Sequence, residues 1–193
     1  MKRLVGLLLL AGCAGQGPQT AYPGQYLAEH GPSALSAAPR TLIEIRPFAD
    51  VPDVPPGHIG DVRDAKGAVI QSLDIAPPPG RQFSEALGAE LQAAGHMVTG
   101  PGAAAVLEGG VQRFAFAGTP DKVTWDTKIQ AQLAIKISYR GRSVSRAYTA
   151  TCNDAGLLRP TADGVAEIAK TCITNIARQF RNDPGVAGVL AGN

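Results

Sequence analysis

The chain has 193 residues, with 18 lysines and arginines against 16 aspartates and glutamates, for a formal charge of +2. That balance gives no electrostatic case for nucleic-acid binding, which rests on neutralising phosphates. The length and an apolar content of 45% suit one globular domain, and no stretch approaches the ~20 apolar residues that a membrane-spanning helix needs.

Lys2 and Arg3 precede a short apolar run, Leu4-Val5-Gly6-Leu7-Leu8-Leu9-Leu10, which leads into Ala11-Gly12-Cys13. A basic start, a brief apolar stretch and small residues at its exit fit a processed export segment. The order resembles a bacterial lipoprotein signal peptide, with Leu10-Ala11-Gly12-Cys13 as its lipobox. The resemblance implies cleavage before Cys13, acylation of that cysteine and membrane attachment through lipid. Several acyl chains on one residue hold durably where a single chain holds reversibly. The other reading is an ordinary secretory signal with an incidental cysteine. Ala14 stands where, in enteric lipoproteins, an aspartate favours inner-membrane retention, so the resemblance implies the outer membrane, with the domain in the periplasm. Once Lys2 and Arg3 are removed, the side-chain charges cancel.

The expected organisation is therefore residues 1–12 as signal peptide, 13–40 as lipidated N-terminus and flexible tether, 41–183 as one periplasmic domain and 184–193 as a C-terminal tail. Ala14 to Arg40 is rich in Gly, Pro, Ala and Gln and has no apolar period. Tyr22 and Tyr26 are its aromatics, and the alternative is that they dock on the domain or a partner. Thr41 to Arg46 reads as a strand stopped by Pro47. Ile59 to Arg63 and Ala68 to Leu73 read as a hairpin turning at Asp64-Ala65-Lys66-Gly67. After the stiff Pro77-Pro78-Pro79, a helix is expected from Arg81 to Ala94, with Phe83, Ala86, Leu87, Leu91 and Ala94 as its apolar stripe. Glu90 interrupts that stripe, and Gly95 sits where a left-handed cap belongs.

His96 to Val98 starts a return strand. Ala105 to Ala117 is a long one, with Gly109-Gly110 read as a bulge. The clearest strand spans Trp125 to Tyr139. Its odd positions are mostly apolar, and its even positions include Asp126, Lys128, Gln130, Gln132 and Lys136. Period two held this long calls for a sheet with one dry and one wet face, which favours antiparallel pairing. Ser143 to Cys152 returns after Arg140-Gly141-Arg142, with Arg146 interrupting its apolar face as on an edge strand. Thr161 reads as the N-cap of a helix to Asn182, with Val165, Ile168, Ala169, Cys172, Ile176 and Phe180 facing inward. The expected fold class is α+β: an antiparallel sheet of about four to five strands with two helices packed on one face.

Cys152 and Cys172 remain once Cys13 is assigned to lipid. In an oxidising compartment they are a candidate disulfide, the alternative being two buried thiols. Several pieces are similar to the YajG-like family of bacterial lipoproteins: Leu42-Ile43-Glu44-Ile45-Arg46, Ile59-Gly60, Leu87 to Gly95, Val106-Leu107-Glu108-Gly109, and the long strand ending in Arg140-Gly141. The family's first strand often ends in Asp-x-Arg, where this chain has Glu44-Ile45-Arg46. The resemblance implies a location and a fold rather than an activity.

His30, His58 and His96 lack the paired spacing of a zinc site. Asp50, Asp53, Asp61 and Asp64 lack the regular spacing of a calcium loop. Neither a Gly-x-Ser-x-Gly elbow nor a phosphate-binding loop is present. The sequence reads as a non-enzyme without cofactor or metal, whose partners are the membrane, through its N-terminal lipid, and an envelope protein. The candidate partner-binding face is Lys128, Gln130, Gln132 and Lys136, with Arg140 and Arg142 at its end; the bland alternative is a solvated sheet face. The runner-up role is an accessory subunit of a lipid or lipopolysaccharide transport system, which a deep apolar groove between helices and sheet would favour. A cell-envelope hydrolase is a third.

Overall fold

The computed structural model describes residues 18–120, 124–156 and 158–192. Its spine is three long strands in sequence: β6 (Ala105–Pro120), β7 (Trp125–Tyr139) and β8 (Arg142–Gly156), paired antiparallel along their whole lengths. Buried Thr127, Ile129, Ala131, Leu133, Ile135 and Ile137 alternate along β7 with residues that retain exposure. That is the pleat expressed as burial. Arg140 and Gly141 make the tight return into β8 with φ of 49° and 78°. Positive φ at both central residues is the turn geometry whose twist matches that of the flanking strands.

The other edge of β6 is shared end to end. β2 (Leu42–Ile45) runs parallel to its first part, Ile43 opposite Ala105, and β3 (His58–Arg63) parallel to its last part, Gly60 opposite Phe116. β5 (Met97–Thr99) extends the sheet beyond β2. β4 (Val69–Ile75) and then β1 (Gln19–Ala21) extend it beyond β3. The result is one eight-stranded mixed sheet, with α1 (Pro79–Ala93), α2 (Ala162–Arg181) and α3 (Pro184–Ala191) beside it. The expected antiparallel sheet of about four to five strands with two helices is thus corrected. The alternation of β7 reports only on its own antiparallel neighbours. The parallel pairs involve strands of three to seven residues on the far side of β6, too short to reveal a pairing direction.

Two further expectations change. The segment from residue 18 to 40 is not a free tether: β1 pairs with β4, and Ala21 and Leu35 are fully buried. The expected C-terminal tail is the helix α3. Asp183 accepts from the amides of Gly185 and Val186 at its start, and Val186, Val189 and Leu190 are buried.

Gly109-Gly110 is not the bulge. The register shifts between Val111 and Arg113, which moves β6's inward positions from odd (Leu107, Val111) to even (Phe114, Phe116). Gly109 serves instead as a seat for Phe48, whose ring atoms lie 2.8–2.9 Å from where a Cβ would stand. The segment between β2 and β3 therefore hugs β6, with the amide of Ala49 donating to the carbonyl of Gly109 and that of Val111 to Ala49. Gly60 has φ 143°, and a Cβ there would sit 2.4 Å from the carbonyl oxygen of Phe116, which requires glycine at that crossing.

Both main helices carry the expected stripes. Phe83, Ala86, Leu87 and Leu91 of α1 and Val165, Ala169, Cys172, Ile176 and Phe180 of α2 are fully buried. The C-terminus of α1 closes as anticipated: Gly95 has φ 94°, its amide bonds Gln92 O and that of His96 bonds Leu91 O. Thr161 caps α2, accepting from the amide of Gly164. α1 begins with Pro78 and Pro79 and takes its cap from a distance, the carboxylate of Asp50 accepting from Gly80 N at 2.6 Å.

Cys152 on β8 and Cys172 on α2 are joined as a disulfide, Cα to Cα 5.7 Å, across 20 residues of chain. It clamps the edge strand to the helix layer. Replacing both cysteines by alanine is expected to cost about 3 kcal/mol, from the loop-closure entropy of a span of this length. Urea unfolding checks this, and the unmodified protein under reductant should lose a similar amount.

Candidate interaction face

All three helices gather on the side of the sheet where the odd residues of β7 are buried. Leu133 of β7 is paired with Tyr148 of β8, whose ring meets that of Phe180 edge to face at 6.3 Å. Arg146 is also on this side, and its Nε donates to Asp183 at 3.0 Å. The arginine that interrupts the apolar face of β8 thus steadies the entry to α3, and β8 is an edge strand, pairing only with β7 among the described residues. Burial raises the pKa of Asp183, but hydrogen bonds from Tyr148 and the amides of Gly185 and Val186, with the charge of Arg146, outweigh it and hold the carboxyl below its usual range. Tyr148 moves the opposite way: burial, then the bond to Asp183, pushes its hydroxyl well above the ordinary tyrosine value.

Among the described residues no helix covers the opposite face. There the even residues of β7 lie between Arg113, Ala115 and Ala117 of β6 and Thr149 and Thr151 of β8, with Arg113 exposed opposite Gln132. Lys128 and Lys136 are exposed, and Gln130 and Gln132 half-buried. Strands of 15 residues give a surface about 50 Å long and about 14 Å across. At roughly 700 Å² it is near the ~800 Å² per partner of a standard protein interface. Lys128, Gln130, Gln132 and Lys136 form a line rather than a cluster. Arg140 and Arg142 sit at the far end from Lys128, about 40 Å along the strand, and Arg140 stacks over Tyr139 at 4.9 Å. Lys136 is opposite Glu108, which is held by Arg46. Neither Lys128 nor Lys136 has an ion-pair partner among the described residues.

The remaining carboxylates and histidines do not converge. Asp50 caps α1, Asp61 accepts from Ser72 and pairs with Arg63, and Asp64 receives the amides of Lys66 and Ala68. Asp53 occupies a left-handed turn position, φ 60°. His58 contacts Asp74 at 3.1 Å, and His96 is buried in the core. Among the described residues no group of three or more His, Cys, Asp or Glu is placed to hold a metal ion. Cys13 lies outside the described residues.

Sequence reasoning missed the way residues 18–40 strap across α1 and α2. Its centre is Glu90, only 1% exposed. The Tyr26 hydroxyl donates to Glu90 Oε1 at 2.5 Å, and the amide of Glu29 donates to the same oxygen at 3.2 Å. Buried Arg181 donates to the carbonyl of Gly31 at 2.7 Å, and its Nε stands 3.8 Å from Glu90 Oε2. Glu29 bridges outward to Arg178. Burial, reinforced by the bond to Glu90, raises the Tyr26 pKa. Of the two tyrosines weighed for docking, Tyr26 is docked and Tyr22 is 70% exposed. The signal was Glu90 itself, since a carboxylate inside an apolar stripe needs partners from elsewhere in the chain. A cavity of about 380 Å³ opens between strap and helices, lined by Tyr26, Pro77, Gln82, Glu85, Lys170 and Ile173. The space between helices and sheet is filled by Phe83, Leu91, Ile129 and Phe180, all without exposed surface.

A mixed sheet with helices on one side, the other side bare and a strap across the helices, defines a two-layered α/β module. The chain belongs to a family of uncharacterised lipoproteins, whose model matches residues 61–191. Membership associates it with the cell envelope. A protein of Xanthomonas campestris has the same fold, with a TM-score of 0.64 at 15% identity over 88% of this chain and 96% of its own. Weaker likenesses are PelC of Paraburkholderia phytofirmans, a dodecamer (TM-score 0.39, 14% identity, 80% and 95% covered), and a lipoprotein of Neisseria meningitidis (0.33, 14%, 70% and 96%). A comparison with curated proteins finds no match.

The strap carries a titratable contact. His96, 4% exposed, donates from Nε2 to the carbonyl of Leu35 at 3.2 Å. Burial lowers its pKa, against the opposing effect of that bond. A depressed histidine is neutral in the fold while the unfolded chain takes up a proton near pH 6.5. Its contribution is therefore present above that pH and lost as pH falls below it. Amides at Leu35–Ala38 should exchange faster at pH 5 than at pH 7 after correction for intrinsic rates, and His96→Phe should abolish the difference.

Proposed function

We propose that this protein is a lipid-anchored module of the bacterial envelope. It is held to the outer membrane by acylated Cys13, with its domain in the periplasm, and it binds or assembles with an envelope protein through the bare face of β6, β7 and β8. Residues Leu10 to Cys13 and Ala14 support the anchor and its membrane, and the YajG-like pieces of the sequence agree with the lipoprotein family. The bare sheet face is the observation that carries the binding role. Every helix among the described residues is committed to one side of the sheet, and the other side offers Ala115, Ala117, Thr149 and Thr151 around Gln130 and Gln132, with Arg113, Lys128 and Lys136 as exposed cations that have no ion-pair partner among the described residues.

The domain works as a surface rather than as a carrier or a catalyst. Its core between helices and sheet is filled by Phe83, Leu91, Ile129 and Phe180, and the network of Tyr26, Glu29, Glu90, Arg178 and Arg181 is taken up in holding the strap to the helices.

Crosslinking in cells tests this reading. The double variant Lys128→Glu/Lys136→Glu should lose the captured partner at least tenfold while remaining in the membrane fraction, and unchanged capture would count against the face. Cys13→Ser should move the protein out of the membrane fraction; its retention there would remove the anchor.

A further inference from the structure

We infer that the end of the domain where β1 begins rests on the bilayer, with the lipid headgroup layer as its occupant. The inference depends on lipidation of Cys13. Cys13 precedes Gln19, the first residue of β1, by six positions. A chain spans at most about 3.3–3.6 Å per residue, so these two residues lie within about 22 Å of each other in any conformation. A domain whose central strands are about 50 Å long cannot place its far end against the membrane on so short a lead.

The sheet fixes which end that is. β1 runs parallel to β4 with Gln19 opposite Leu73, and the side-chain amide of Gln71 donates to Gln19 Oε1 at 2.6 Å. Gln19 is thus level with Leu73, about 13 Å from the end at Val69 where β4 starts, a distance that the lead from Cys13 can span. Val69 there is opposite Arg63, β3 leads along β6 to Pro120, Pro120 is opposite Trp125, and Trp125 is opposite Gly156. Arg159 closes the circuit, its guanidinium donating to the carbonyl of Ile70 at 3.1 Å.

This end has the chemistry of an interfacial surface. Leu158 is 82% exposed and Val69 47%, beside half-buried Trp125 and the exposed cations Arg63 and Lys66. Apolar tips, an indole and long basic side chains are the groups that settle at headgroup depth. Of the carboxylates at this end, Asp61 and Asp64 are engaged by Ser72, Arg63 and the turn amides, Asp154 accepts from the amide of Ala155, and Asp126, next to Trp125, is exposed. At the opposite end stands the Arg140-Gly141 turn.

Trp125 is the single tryptophan of the chain, so it reports on this end without a label. Full-length lipidated protein, its acyl mass on Cys13 verified, is reconstituted into phosphatidylethanolamine–phosphatidylglycerol vesicles with nitroxide at the headgroup. Trp125 emission should fall at least twofold. Val69→Asp/Leu158→Asp should relieve the quenching while the protein still sediments with the vesicles. Unquenched emission from correctly acylated protein overturns the docking and leaves the anchor standing. Absence of the acyl mass overturns the anchor and the docking with it.

Discussion

The antiparallel ladder between β6 and β7 is the constraint from which the rest follows. Two strands of 16 and 15 residues paired throughout fix the orientation of every side chain on them, because the pleat admits only two faces. One face is apolar and must be covered. The stripes of α1 and α2, together with α3, do this, and Ile129, Leu133 and Ile137 lose all exposure. With the helices committed to that side, the other face is left open. The bare surface is thus a consequence of where the apolar residues of β7 fall, and the disulfide between β8 and α2 holds the edge of the sheet beneath its cover.

The elements that dominate this ladder were legible in the sequence. β7 was bounded at Trp125 and Tyr139 because alternation over such a length has one meaning. α2 was bounded through Thr161 and its stripe, and the cap of α1 through Gly95. The pairing partners of short segments were not legible. β2 and β5 carry four and three residues, enough to suggest extended chain but not whose edge it meets, so the parallel half of the sheet was invisible. Gly109 shows how one residue supports two readings: a paired glycine suggests a bulge, yet the ring of Phe48 needs the missing Cβ, and the shift of register occurs at Gln112. The strap failed for a related reason. Composition described residues 18–40 as loose, and composition does not see Tyr26, Glu29 and Gly31 meeting Glu90 and Arg181, whose sequence separations run from 61 to 150 residues.

The candidate face is a set of alternating residues on one side of β7. Lys128, Gln130, Gln132 and Lys136 do share one side of β7, since period two guarantees it. Their spread along the strand, and the position of Arg140 and Arg142 at its remote turn, make them a rail of contacts instead of a pocket. Arg146 is the complementary case. Its charge on an otherwise apolar face pointed to an edge, and the structure supplies Asp183 as the partner that makes it tolerable.

The strap gives the molecule a mechanical order of failure. β1 meets β4 over three residues, so a pull on the segment preceding Gln19 loads that short seam first, then the contacts of Tyr26 and Glu29, and only afterwards the ladder of long strands. Peeling the chain from Gln19 to Arg40 would pay out some 70 Å of slack at full extension, with the body of the domain intact behind its disulfide. A sacrificial lanyard of this kind would lengthen under tension at the Gln19 end before the ladder of long strands is loaded.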